Sequence, residues 1–299
     1  MSKNTLQSLT GRTIRAILFD FGNTLWTTAD DAIWQGYEEA SDQQTVAILH
    51  KYVSAKDLPT DNPVKLGRIV RKTVHERVDK LKHEHPWYEP NPTHAATEAL
   101  QQLGIKAEPA VAAAVFEALR IRTPQSRVLF DDVLSTLSEL QQRGFLLGVV
   151  TNRAWGGLPF LEDVQELGLL KYFDPRHMAI SADLGIRKPN PAIFQHTLHA
   201  LDVVAEEAVM VGDSLTADIA GAQAINVFAI WKPKPRLQVK AKAALASSGA
   251  EIDDEALLAY ALREANRKRH QWAKHEIKPD LIIKHTSDLL DVFTKAGKQ

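Results

Sequence analysis

The chain of 299 residues contains no cysteine. That excludes disulfides, thiolate metal sites and a cysteine nucleophile, and it fits a reducing compartment. No window approaches the roughly 20 consecutive apolar residues that span a bilayer. The polar stretch from Met1 to Arg12 lacks the apolar centre of a signal peptide. A soluble, cytoplasmic protein is expected. Neither charge is in excess: 36 Lys and Arg stand against 37 Asp and Glu, for a formal net charge of −1. There is therefore no electrostatic ground for a nucleic acid or an anionic membrane as partner. Internal repeats and long low-complexity segments are also missing. What the chain does have is 44% hydrophobic residues, enough over this length for one large domain or two modest ones.

The first informative stretch is Ala16-Ile17-Leu18-Phe19-Asp20-Phe21-Gly22-Asn23-Thr24-Leu25. Its continuous apolar run predicts a central parallel strand over Thr13 to Asp20, covered on both faces. An Asp at the carboxyl end of such a strand stands where open α/β sheets bind ligands. Taken alone, it equally well caps a turn. Residues 30–123 then read as helical, over Asp31 toward Val53, Val64 to His83, Thr93 to Leu103 and Glu108 to Ile121. This is a helical domain inserted after the first strand.

Beyond it a βα rhythm returns. Strands are predicted at Phe145 to Val150, His177 to Ile180, Ala208 to Val211 and Val227 to Ile230. Helices are predicted at Asp131 to Arg143, Leu158 to Leu169, Pro191 to Leu201 and Leu215 to Ala224. The expectation is a doubly wound, mostly parallel α/β sheet. Residues 1–29 and 124–299 form this core, and 30–123 the helical domain. An Ala-rich, charged segment over 233–278 interrupts the core as a helical hairpin split near Ser247-Ser248-Gly249. A strand at Pro279 to Ile283 and a helix at Ser287 to Phe293 close the chain.

Four polar groups follow apolar strands: Asp20 with Gly22-Asn23-Thr24, Thr151-Asn152, Lys188-Pro189, and Gly212-Asp213 with Asp218. In a parallel sheet they gather along one edge. Asp20 and Asp213 suit a hard cation such as Mg²⁺, with a backbone carbonyl near Gly22 as a further ligand. Lys188, the Thr151 hydroxyl and the Asn152 N–H offer donors for a phosphoryl group. Carboxylate attack on phosphorus is then feasible.

These residues resemble the haloacid dehalogenase superfamily. Its four motifs are matched in order by Asp20-Phe21-Gly22-Asn23-Thr24, by Thr151, by Lys188 and by Gly212-Asp213-Ser214-Leu215-Thr216-Ala217-Asp218. The resemblance implies a Rossmann-like core and, over 30–123, a helical cap. It implies Asp20 as nucleophile and metal ligand, with Gly22 binding metal through its backbone oxygen. Thr151, Asn152 and Lys188 hold the phosphoryl group, Asp213 ligates Mg²⁺, and Asp218 positions Lys188 or a metal-bound water. The expected function is Mg²⁺-assisted hydrolysis of a small phosphorylated metabolite by a monomer or homodimer.

One position departs from the pattern. Gly22 stands where phosphatases of this superfamily carry a second Asp as general acid/base, worth about 10²–10⁴-fold in rate. Two alternatives therefore stay open: phosphonatase-like or dehalogenase-like chemistry, and a weakly catalytic or purely binding protein. A phosphonatase needs a cap lysine, for which Lys51, Lys56 and Lys65 are available. His75, His83, His85 and His94 read as a solvated helix face or loop. Trp26 and Trp34 read as packing or hinge residues, and Arg267-Lys268-Arg269-His270 as a solvated basic face.

Overall fold

The computed structural model describes residues 11–29, 31–245, 253–267 and 277–293. A six-stranded sheet has the order β5-β4-β1-β6-β7-β8, every neighbouring pair parallel. The strands are β1 (Ala16–Phe19), β4 (Leu146–Thr151), β5 (Met178–Ile180), β6 (Ala208–Gly212), β7 (Phe228–Trp231) and β8 (Leu281–Ile282). β1 is central and all four of its side chains are fully buried. Ile17 and Phe19 join one hydrophobic cluster and Ala16 and Leu18 another, one on each face. The unbroken apolar run of β1 is thus explained by two covered faces. In β4, a Cβ on Gly148 would lie 2.6 Å from the Thr197 methyl and 2.9 Å from Leu18. Only glycine lets the helix behind that face sit so close to the strand.

Helices of ten or more residues are numbered here. One face of the sheet is covered by α5 (Val133–Gln142) and α6 (Gly157–Glu166), the other by α7 (Pro191–Ala200). The C-terminal helices α8 (Pro235–Leu245) and α9 (Asp254–Arg267) add Ala241, Leu257 and Ala261 to the second face. The expected break at 247–249 and most of the Arg267–His270 run lie outside the described residues, as do residues 1–10.

The helical insertion comprises α1 (Asp31–Tyr52), α2 (Pro63–Glu84), α3 (Pro92–Gln102) and α4 (Pro109–Ala118). It has its own core, built around Leu49, Leu66, Val70, Val74, Ala99 and Val115. α2, α3 and α7 all begin Asn-Pro. In each, the Asn side chain accepts an N–H of the first turn while Pro takes the place where no donor is needed. Arg71 is buried there on Asp42 at 2.6 Å.

Several expectations are corrected. β2 (Trp26–Thr28) and β3 (Arg127–Leu129) form a separate antiparallel pair that brackets the insertion. Three residues per strand are too few to show alternation, and the partners lie about a hundred positions apart. The helix expected over Leu215 to Ala224 is a π turn (Leu215–Ile219) followed by one α turn. The strand expected over Pro279 to Ile283 shrinks to two residues, because the Asp280 carboxylate itself accepts the Ala229 N–H at 2.8 Å. The last helix is a 3₁₀ turn continued by Leu289–Val292. Among the described residues no helix is long and apolar enough to cross a membrane.

Candidate active site

Asp20, Thr151 and Asp213 meet at one edge of the sheet, and Lys188, expected to follow a strand directly, joins them from a loop eight residues beyond β5. Asp20 follows β1, and its N–H donates to the carbonyl of Val211 on β6 at 2.9 Å, holding the two strand ends together. Thr151 ends β4. Lys188 lies in the loop before α7, and its peptide bond to Pro189 is cis. Asp213 follows β6, and Asp218 lies in the π turn. A cavity of about 240 Å³ is lined by Asp20, Gly22, Thr151, Asn152, Lys188, Asp213 and Asp218, together with Arg153.

Lys188 is the centre of the arrangement and is 3% exposed. Its ammonium donates to Asp20 Oδ1 at 2.7 Å and to the Val150 carbonyl at 2.6 Å. It also lies 2.6 Å from Asp218 Oδ1, off the direction of a good hydrogen bond, so that contact is an ion pair. Burial alone would lower the Lys188 pKa, but the charges of Asp20 and Asp218 outweigh it and raise the value. The ammonium form is therefore the stable one. The Asn152 side chain works on the same residue: its Oδ1 accepts the Lys188 N–H at 2.8 Å, and its Nδ2 donates to the Lys188 carbonyl at 3.0 Å.

Oxygen atoms of Asp20, Asp213 and Asp218 lie within 4.8 Å of one another. Asp218 Oδ2 accepts the Ser214 N–H at 2.8 Å, which fixes its carboxylate. Gly212 makes that approach possible, because a Cβ there would overlap the Asp218 carboxylate. Asp213 is the strained member. Burial first, then repulsion from Asp218, raises its carboxyl to about 7, against an opposing pull from Lys234. Lys234 Nζ stands 3.2 Å from Asp213 Oδ2, and Asn23, held at φ 58°, brings its Nδ2 to 3.4 Å from the same oxygen. Three crowded carboxylates, two of them, Asp213 and Asp218, pushed by burial toward protonation, are the donor set that a small hard divalent cation relieves.

A Cβ at Gly22 would meet only Asp20 Oδ2, at 3.9 Å. The position is open, so packing does not impose the glycine. None of His75, His83, His85 and His94 lines the cavity, and neither do Lys51, Lys56 and Lys65, all three exposed. Trp26 is core, 4.5 Å from the Phe21 ring, and Trp34 carries the Arg127 guanidinium at 4.8 Å.

Four participants were not singled out from the sequence. Lys234 stands three residues beyond the end of β7, where the Pro-Lys-Pro sequence reads as the opening of the 233–278 insertion. Arg153 directly follows Thr151-Asn152. Its guanidinium lies 4.2 Å over Phe160, and burial lowers its pKa to about 10. Ser181 and Glu89 join the helical insertion to the sheet. Ser181 Oγ donates to Glu89 Oε2 at 2.7 Å, and Tyr88 forms an antiparallel bridge with Ile186, two residues before Lys188.

A family model described as haloacid dehalogenase-like hydrolase matches residues 14–226. A glyceraldehyde 3-phosphate phosphatase of Methanopyrus kandleri is 31% identical over 214 residues, which is 70% of this chain and 79% of that protein. A phosphoserine phosphatase of Thermus thermophilus is 36% identical over 149 residues, 48% of this chain and 55% of that protein. Among solved structures, a 2-haloacid dehalogenase from Pseudomonas syringae pv. Tomato superimposes with a TM-score of 0.58 at 26% identity, covering 94% of this chain and 98% of that one.

Proposed function

The chain belongs to the haloacid dehalogenase-like hydrolases, and we propose that within that family it is a phosphatase of small phosphorylated metabolites. The observation that carries this reading is the Lys188 ammonium held between Asp20 and Asp218, beside Asp213. The relatives named as phosphatases support it.

One Asp20 oxygen attacks phosphorus and the bond to the departing oxygen breaks, leaving an acyl phosphate on Asp20. Water then attacks phosphorus, phosphate leaves with both hydrogens of that water, and the Asp20 carboxylate is restored. Lys188, the Thr151 hydroxyl and the Asn152 N–H bind the phosphoryl oxygens, while Asp218 and the Asn152 side chain position Lys188. Asp20, Asp213 and the Gly22 backbone oxygen would hold Mg²⁺, which when bound would supply the charge that lets an anionic nucleophile approach a phosphate. Gly22 has no group to protonate the departing oxygen. Esters of acidic alcohols and acyl phosphates are accordingly the better substrates. Residues 30–123 act as a cap over the core formed by 1–29 and 124–299, excluding water from the site.

The test is hydrolysis of p-nitrophenyl phosphate with Mg²⁺. Asp20→Asn is expected to lower kcat by about a thousandfold or more. A variant that keeps turnover within tenfold of the parent defeats the reading, and no turnover of any phosphate ester by the parent points to a binding protein. Gly22 favours one second reading, carbon–halogen hydrolysis by Asp20. Chloride release from 2-chloropropionate by metal-free protein is its signature.

A further inference from the structure

The segment after β7 lies beyond residue 226, where the family match ends. It is nonetheless stitched to the loop that carries Asp213. The Trp231 indole N–H donates to the Asp213 carbonyl at 2.9 Å, and the Lys232 N–H donates to the Gly212 carbonyl at 2.9 Å. Pro233 and Pro235 then lead the chain into α8, and Lys234, Arg236 and Lys240 line one cavity with Asp213. Together with α9 they enclose a cavity of about 440 Å³. Asp213 and Ser214 line this cavity and also the smaller one that holds Asp20 and Lys188, so the two share a wall.

The lining of the larger cavity is lopsided. Three cations, Lys234, Arg236 and Lys240, stand against two carboxylates, Asp213 and Glu264. Arg236 and Glu264 each already have a partner, so the argument turns on the two lysines. Lys234 is half exposed, with Asp213 as its carboxylate. Lys240 is exposed and makes no ion pair among the described residues. Leu215, Trp231 and Leu237 give the same cavity an apolar wall. A cationic pocket with one apolar side, opening beside a site for phosphoryl transfer, fits an organic body that ends in an anion.

We propose that this C-terminal hairpin is a specificity element, and that the substrate carries a second anionic group, a phosphate or a carboxylate, received by Lys240 and Lys234. The proposal rests on the phosphatase reading of the Asp20 site. It adds to that reading a selectivity element on a segment other than the helical cap.

The experiment compares full-length parent, Lys240→Glu and Lys240→Arg with Mg²⁺ on three substrates: p-nitrophenyl phosphate, fructose 1,6-bisphosphate and 3-phosphoglycerate. For a doubly anionic substrate the ratio of its kcat/KM to that of p-nitrophenyl phosphate is expected to fall about tenfold in Lys240→Glu, through KM, and to recover in Lys240→Arg. A fall confined to the bisphosphate assigns the pocket to phosphate, and one confined to 3-phosphoglycerate assigns it to carboxylate. An unchanged ratio for both overturns the proposal. Should no ester turn over, the phosphatase reading fails and calorimetry decides the pocket. Tighter binding of fructose 1,6-bisphosphate than of glycerol 2-phosphate, abolished in Lys240→Glu, supports it, and equal affinities overturn it.

Discussion

Two lysines at the same sheet edge each meet an aspartate, and they have little else in common. Lys188 is sealed between β1, β4 and the π turn, with two carboxylates and a carbonyl around its ammonium. Lys234 stands on the β7 side, its side chain 45% exposed and its one carboxylate 3.2 Å away. The first site was built by desolvating charges that satisfy one another, the second by leaving a charge in water beside an acid. The same ion pair type is therefore structural chemistry in one place and a replaceable contact in the other.

Breaking the first contact carries the largest effect. Lys188→Ala leaves Asp20 and Asp218 buried without their cation, a loss of about 3–5 kcal/mol. The thermal midpoint is expected to drop by about 10 °C for a chain of this size, and turnover of p-nitrophenyl phosphate to disappear. A variant that melts with the parent would show that the two carboxylates are protonated or solvated in its absence.

A pH series sharpens the contrast through Asp213. Its carboxyl is raised to about 7, above the value near 3.9 of the unfolded chain, so the folded state binds the proton more tightly. Without metal, stability is then lost as pH rises from about 4 to 7, and the midpoint should climb by a few degrees on going from pH 7.5 to 5. Saturating Mg²⁺ holds the carboxylate charged, and the midpoint should then fall over the same acidification. Parallel curves with and without Mg²⁺ would remove Asp213 from the metal site. The smallest effect belongs to the second lysine. Lys234→Gln is expected to cost about 1 kcal/mol or less, within about 3 °C in the same melt.

The difference between the two lysines also marks what the sequence discloses. Asp20, Thr151 and Asp213 stand at the ends of apolar runs, and parallel topology brings those ends together, while Lys188 reaches them from a loop eight residues beyond β5. That inference needs only local patterns and one topological rule. Lys234 stands three residues beyond the end of β7, but a Pro-Lys-Pro turn reads as the opening of an insertion and hides it. The Asn152 clamp on the Lys188 backbone and the Ser181–Glu89 contact have no local signature at all. The first joins residues 36 positions apart through one side chain, and the second joins two side chains 92 positions apart. The π turn was equally hidden, since its extra residue leaves the 3.6-residue apolar pattern nearly unchanged.

The short antiparallel pair β2–β3 has an architectural consequence. Trp26 faces Leu129 and Thr28 faces Arg127, so the chain leaves for α1 and returns from α4 across adjacent rungs of one small ladder. To the sheet, almost a hundred residues of helix amount to a hairpin turn. That joint is one of two: the Tyr88–Ile186 bridge and the Ser181–Glu89 contact tie the same module down again next to Lys188, so any helical module exchanged there would have to rebuild that second seam.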